Sequence, residues 1–110
     1  MKLFEIAYAR SGDKGDDVNI GVIAKSSKAY AALLKELTPE RIKSYFGELH
    51  PEEVIRFELP NLEAINFILK GVLQGGGSRS LRTDAQGKAL GQALLQMEVN
   101  HDQSTGPNQS

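Results

Sequence analysis

The stretch LFEIAYARSGDKGDDVNIGVIAK, residues 3–25, carries the clearest signal for the fold of this chain. In residues 3–9, strand geometry puts Phe4, Ile6 and Tyr8 on one face and Glu5 on the other, which is typical of a β-strand. Residues 18–25 alternate in the same way, and Gly21 among them indicates a bulge or the close approach of another backbone. Between the two segments, residues 10–17 are rich in glycine and aspartate, which favour a loop. The stretch therefore predicts two strands joined by a polar, hairpin-like loop.

Downstream of this stretch the pattern changes from helix to strand. Apolar residues at spacings of three and four predict a helix over residues 27–37. A second helix over residues 39–49 is expected to follow, with Thr38 as its cap. Residues 53–59, EVIRFEL, alternate strictly, so they predict a strand in a sheet that is exposed on one face.

The second half of the chain predicts two further helices, over residues 62–71 and over residues 84–96. Gly87 and Gly91 lie four residues apart in the later helix. Glycines at this spacing allow two backbones to approach closely, at a cost of about 1 kcal/mol each in helix propensity. We therefore expect this helix to pack tightly against the sheet or against a second copy of the chain.

Short strands interleaved with helices indicate one sheet with helices packed on one face. We predict a single α+β domain over residues 1–99, a two-layer sandwich of the ferredoxin-like kind. Its mixed or antiparallel sheet should have about four strands. Residues 80–82 are the candidate fourth strand, and residues 97–99 a short last one. Residues 100–110 lack hydrophobic side chains and are expected to be disordered.

The composition is that of an ordinary globular domain and excludes several functions. The chain has 110 residues, 40% of them hydrophobic, and a net charge of -1. Without a basic surplus we expect no binding to nucleic acid, and without an apolar run of about 18 residues no membrane span. The absence of cysteine excludes disulfides and thiolate chemistry. A charge close to the N-terminus argues against a signal peptide, so we expect a cytoplasmic protein.

The loop over residues 10–17 is the first candidate site. Arg10, Ser11 and Lys14 carry donors that would hold a phosphate or a carboxylate. A second interpretation is that glycine and aspartate serve only turn geometry. A third is a hard cation, but the spacing differs from that of a calcium loop, so we predict no metal. The side chains that would face such a cation are Asp13, Asp16, Asp17 and Asn19.

The glycine-rich segment over residues 75–82 is the second candidate site. Glycines, hydroxyls and arginines ahead of a helix start are the groups that anion sites use. The segment matches neither a P-loop nor a dinucleotide fingerprint, so we predict no cofactor. A flexible connector with solvated arginines is the alternative. The residues expected to bind an anion here are Ser78, Arg79, Ser80, Arg82 and Lys88.

Both glycine-rich segments resemble the small C-terminal domain of the AtuA family, the acyclic terpene utilisation proteins. ARSGDKGDDVNIGVIAK, residues 9–25, is similar to the opening of that domain. NFILKGVLQGGGSRSLRTDAQGKALGQALLQMEV, residues 66–99, is similar to its second half. The resemblance covers roughly residues 2–99. It implies a ferredoxin-like fold and a connection with the breakdown of acyclic terpenes, which proceeds through CoA thioesters.

The resemblance also implies a partner, because AtuA-like proteins are usually much longer than this chain. We expect a stand-alone accessory domain or subunit that forms a homo-oligomer or pairs with a larger AtuA-like chain. The alternative is a small enzyme, or half of an active site, for an acyl-CoA or another anionic substrate. That alternative predicts that the two glycine-rich segments meet around one pocket. The resemblance assigns no catalytic residue.

Overall fold

The computed structural model describes residues 1–72 and 88–100 of the chain. The strands are β1 (Ala7–Lys14), β2 (Asp17–Ala24), β3 (Glu53–Leu59) and β4 (Ala64–Lys70). The helices are α1 (Ser27–Glu36), α2 (Pro39–Tyr45) and α3 (Lys88–Leu94), with short 3-10 helices at Leu3–Glu5, Gly47–Leu49 and Pro60–Leu62. The strands form one antiparallel sheet in the order β1-β2-β4-β3, and the helices pack on one of its faces.

This arrangement confirms the predicted α+β fold with a sheet of about four strands. A ferredoxin-like chain has the order β-α-β-β-α-β. Moving its first strand and helix to its end gives the hairpin, helix, hairpin, helix order that is found here. Every pair of neighbouring strands in the described part of the chain is antiparallel, so the sheet is antiparallel rather than mixed.

Alternate residues of the two central strands form the core beneath the helices. Val18, Ile20 and Val22 of β2 are fully buried. Burial of each such side chain contributes roughly 1.5–3 kcal/mol to folding, so this layer is a major source of stability. The buried residues that meet it from β4 and from the three helices are Ile65, Phe67, Leu69, Leu33, Ile42 and Leu94.

Side-chain caps fix the starts of the first two helices. Ser26 Oγ accepts a hydrogen bond from Ala29 N at the start of α1, at 3.0 Å. Thr38 Oγ1 accepts one from Arg41 N at the start of α2, at 3.1 Å, which confirms the predicted cap. Each cap of this kind stabilises a helix by about 1 kcal/mol. The caps therefore hold α1 and α2 in place over the sheet.

The predicted helix over residues 62–71 is wrong, because this segment contains the central strand β4. Its apolar residues fit helical spacing and strand alternation almost equally well. Pro60–Leu62 forms a 3-10 turn, and Glu63 follows with a left-handed φ of 50°. The chain then pairs with β2 on one side and with β3 on the other, which satisfies its backbone donors and acceptors. Tertiary pairing thus decides between the two patterns.

The predicted loop over residues 10–17 is also wrong in its extent. Strand β1 continues to Lys14, so the turn consists of Gly15 and Asp16 alone. Gly15 has a φ of 64°, a conformation that glycine adopts without strain. The first predicted strand begins later than expected, because Leu3–Glu5 forms a 3-10 helix. The candidate residues before Gly15 therefore lie on a strand, where alternate side chains point to opposite faces.

The remaining predictions concern the end of the chain. The short strand predicted at residues 97–99 is reduced to one bridge, between Lys2 and Glu98. The predicted strand at 80–82, most of the first turn of the last helix and the tail beyond residue 100 lie outside the described residues. Within residues 1–72 and 88–100, the helices are too short and too polar for a membrane span.

Candidate functional site

The face of the sheet that points away from the helices, called here the outer face, is open to solvent. Because side chains alternate along each strand, its residues are those between the buried core positions. On β1 they include Tyr8 and Arg10, and on β2 they include Asn19 and Ile23. Tyr8 and Ile23 are 59% and 40% exposed although both are large and largely apolar. The outer face therefore combines polar groups with an uncovered apolar surface.

A polar groove crosses β1, β2 and β4 on the outer face. The pairing of the strands sets its layout, because Arg10 stands opposite Gly21 and Gly21 stands opposite Asn66. Gly12 stands opposite Asn19 in the neighbouring row. The groove has a volume of about 420 Å³ and is lined by Arg10, Ser11, Gly12, Asp13, Asn19, Gly21 and Asn66.

Gly12 and Gly21 form the floor of this polar groove. A Cβ atom at Gly12 would meet no atom within 4 Å, and one at Gly21 would meet only Asn66 Oδ1, at 3.6 Å. A glycine inside a strand weakens the strand and often marks a place where a ligand approaches the backbone. The two glycines therefore leave open space that any side chain would fill.

The polar groups around the groove carry donors that the rest of the described chain leaves unused. Arg10 is exposed, and among residues 1–72 and 88–100 no carboxylate forms an ion pair with it. Asn19 and Asn66 are half-buried. Their amide groups form no side-chain hydrogen bond with the described residues. The described side chains around the groove therefore offer one positive charge and two amides.

Ser11 points away from the outer face, although the sequence grouped it with Arg10. Its Oγ accepts a hydrogen bond from Gly91 N of α3, at 2.8 Å. A Cβ at Gly91 would lie 3.0 Å from this oxygen and 3.3 Å from the backbone carbon of Arg10. This contact confirms that Gly91 allows tight packing against the sheet. Gly87 lies outside the described residues.

The acidic side chains predicted for this loop do not gather into one site. Asp17 Oδ1 accepts a hydrogen bond from Gly71 N at 2.9 Å, and its Oδ2 is 4.0 Å from Lys70 Nζ. Asp13 lies on β1 and Asp16 in the turn, and both are exposed. In the part of the chain that the structure describes, no three His, Asp or Glu side chains are placed to hold a metal ion.

The described flanks of the second candidate site lie at the β1–β2 turn. On one side, Gly71 is joined to Asp17. On the other, α3 runs antiparallel to β1, since Gly91 contacts Ser11 and the later Leu95 O accepts from Phe4 N. Lys88, the first described residue of α3, is therefore at the turn end of the sheet. The other predicted residues, Ser78, Arg79, Ser80 and Arg82, lie outside the described residues.

An apolar strip, defined here as Tyr8, Ile23, Phe57 and Leu59, borders the polar groove. Tyr8, Ile23 and Leu59 belong to one row that crosses all four strands through Ala64 of β4. The sequence analysis did not predict this strip or Asn66, because it assigned the segment around Asn66 to a helix. Spacing in AINFILK, residues 64–70, could not have found either, because its apolar residues fit a helix and a strand almost equally well.

Comparison with known proteins agrees with this fold. The family described as the AtuA ferredoxin-like domain matches residues 1–100, which include every described strand and helix. Neither the curated proteins nor the solved structures provide a significant match. The family match covers far more than half of the 110 residues and agrees with the four-stranded sheet. The chain therefore belongs to the AtuA ferredoxin-like domain family.

Proposed function

We propose that this chain is an accessory domain that docks, through the apolar strip of its outer face, on a larger AtuA-like chain. The observation that supports the proposal is the exposure of the strip. Tyr8 is 59% exposed, Phe57 46% and Leu59 40%. Contiguous apolar surface of this kind is typical of sites that another protein covers.

The layout of the strip fits a flat protein surface. Its central row extends across four strands, which are about 4.8 Å apart, so it is roughly 14 Å long. Aromatic and aliphatic side chains at the centre of an interface provide most of its binding energy. The family match and the resemblance to a longer AtuA architecture support a larger AtuA-like chain as the partner. The proposed context is the breakdown of acyclic terpenes in the cytoplasm.

A matched pair of variants tests the docking. Phe57 lies in the strip and Phe4 lies in the first 3-10 helix, yet their exposed fractions are almost equal, 46% and 44%. Sedimentation velocity would measure binding between this chain and a purified larger AtuA-like chain. We expect Phe57→Ser to weaken the complex at least tenfold and Phe4→Ser to leave it unchanged. Equal effects of the two variants would contradict the proposal.

Self-association is the outcome that would replace the larger chain as the partner. Wild-type protein alone is expected to sediment as a monomer. A homo-oligomer that Phe57→Ser dissociates and Phe4→Ser does not would assign the strip to a second copy of this chain. If the wild type is monomeric and does not bind the larger chain, neither a larger AtuA-like chain nor a second copy docks on the strip.

A second candidate function is half of a site for an acyl-CoA or another anionic substrate. The position of Gly71 and Lys88 at the β1–β2 turn supports it, because these described residues flank the second glycine-rich segment in the sequence and lie close to the first motif. Thermal unfolding with free CoA, acyl-CoA and phosphate tests this function. A ligand at 100 times its dissociation constant stabilises a protein by about 2.7 kcal/mol. The Arg79→Ala/Arg82→Ala variant should lose that stabilisation.

A further inference from the structure

We propose that the polar groove on the outer face is a binding site for a small monocarboxylate, held by Arg10 together with Asn19 and Asn66. This site shares no residue with the apolar strip, although Phe57 of the strip stands opposite Asn66, and it does not require a partner chain. The inference therefore goes beyond the proposed docking function. It rests on three features of the groove: its charge, its hydrogen-bonding groups and its floor.

The charge of the groove comes from Arg10. A guanidinium presents parallel N–H donors that match the two oxygens of a carboxylate. The two acidic side chains on β1 and β2 are turned away or engaged. Asp13 lines the groove, but it is three positions from Arg10 on the same strand, so its side chain belongs to the opposite face. Asp17 shares the outer face but is bonded to Gly71 N and lies near Lys70. Arg10 is thus left to attract an anion.

The amides of Asn19 and Asn66 complete the set of donors. Each stands across a strand pairing from one of the floor glycines, Asn19 opposite Gly12 and Asn66 opposite Gly21. A carboxylate accepts about four hydrogen bonds, which two guanidinium N–H groups and two amides can supply. One positive charge balances one carboxylate, whereas a phosphate dianion would keep an unbalanced charge. The groove therefore favours a monocarboxylate over phosphate.

The glycines at positions 12 and 21 are explained by access for a ligand and not by a backbone conformation that only glycine can adopt. Among the described glycines, only Gly15 and Gly71 have positive φ angles, so glycine is not needed at positions 12 and 21 for conformation. A Cβ at Gly12 or Gly21 would also fit without a clash. Glycine in a strand interior weakens the strand, yet it occurs at both positions. What glycine provides at these two positions is access to the floor of the groove.

An NMR titration of the isolated, isotope-labelled chain with propionate tests the site. We expect saturable shifts at the backbone amides of Gly12 and Gly21 and at the side-chain amides of Asn19 and Asn66. Sodium phosphate and sodium chloride at the same ionic strength should not reproduce them. Equal, saturable binding of phosphate at these atoms would overturn the choice of carboxylate, and shifts spread over the surface would overturn the site itself.

Variants separate the site from a general charge effect. Arg10→Gln should weaken propionate binding at least tenfold, which is about 1.4 kcal/mol. Lys28→Gln removes an equal charge from an exposed position of α1, away from the groove, and should leave propionate binding unchanged. Unaltered binding by Arg10→Gln, or equal losses in both variants, would overturn the proposal. Since only this chain is present, failure to dock on a larger chain does not affect the result.

The floor provides an independent test. Gly21→Ala places a methyl group in the groove, 3.6 Å from Asn66 Oδ1, and should abolish propionate binding while the protein stays folded. Gly12→Ala meets no neighbouring atom and serves as the second variant if the first one unfolds. Thermal unfolding would confirm the fold of each variant. Full propionate binding by a folded Gly21→Ala protein would overturn the assignment of the floor.

Discussion

Replacing Gly91 with alanine is expected to destabilise the protein, because α3 lies too close to β1 for a methyl group. The added Cβ would lie 3.0 Å from Ser11 Oγ and 3.3 Å from both Ser11 Cβ and the backbone carbon of Arg10. Ser11 Oγ is bonded to Gly91 N, and the Arg10 backbone is fixed by its pairing with β2. Neither neighbour can give way without loss of a hydrogen bond. The helix must therefore move outward.

The size of the effect follows from two opposing contributions. Overpacking of a core contact costs about 1–3 kcal/mol. Here the outward shift also loosens Leu90 and Leu94, which are almost completely buried. Alanine is a better helix former than glycine by about 1 kcal/mol, which offsets part of the cost. We expect the free energy of unfolding to fall by about 1–2 kcal/mol. In a small domain, each kcal/mol lowers the Tm by roughly 4–8 °C.

Urea and thermal unfolding, followed by circular dichroism, would measure this loss. Gly12→Ala is the matched control, since its new Cβ meets nothing within 4 Å, and its stability should equal or exceed that of the wild type. Adding Ser11→Gly to Gly91→Ala removes two of the three close contacts and should restore part of the stability. A Gly91→Ala protein as stable as the wild type would refute the argument from close packing.

Three further changes test other contacts. Gly71→Ala should cost at least about 1–2 kcal/mol in urea unfolding, because φ is 79° and the new Cβ would lie 2.7 Å from Glu52 Cδ. Arg56→Met should lower the free energy of unfolding by about 2 kcal/mol, because Arg56 Nη1 donates to two backbone carbonyls at the end of α1, both at 3.0 Å. An unchanged urea midpoint would show that these hydrogen bonds contribute nothing to stability. Hydrogen bonds from Lys2 and then from the N-terminal ammonium lower the pKa of Glu98, so its contribution to stability is present above the usual pKa of 4.5 and is lost as the pH falls below it. Glu98→Gln should therefore reduce the loss of stability between neutral and acidic pH, and an unchanged pH profile would contradict this.

The strands that show clear alternation are those that the sequence predicted best. Residues 53–59 form β3 with the predicted bounds, because β3 is an edge strand with one exposed face. β4 is central and carries apolar residues on both faces, so its run AINFIL has no clear period. Such a run cannot be distinguished from a buried helix by spacing alone. The distinction depends on pairing with β2 and β3, which are far away in the sequence.

For the candidate site too, the residues close together in the sequence could be predicted, whereas those brought together by strand pairing could not. Arg10 and Asn19 could be selected from their residue types and from the glycines around them. Asn66 could not, because only the pairing of β4 with β2 brings it to the groove. Ser11 was grouped with Arg10 in the predicted loop, whereas on a strand the two side chains point to opposite faces. The direction of each side chain thus depended on where the strand ended.

The pairing of Met1 with Val99 brings both ends of the domain to one corner. Val99 N donates to Met1 O at 2.8 Å, and Leu3 N donates to Met97 O at 2.8 Å. Glu98 O accepts a hydrogen bond from Arg41 of α2, and Asn100 N donates to Glu36 Oε1 of α1, so this corner lies on the helix side of the sheet. A polypeptide joined to either end would therefore start on the face opposite the apolar strip. Tethering there would raise the local concentration of the attached chain at that face, so even a weak contact would be occupied.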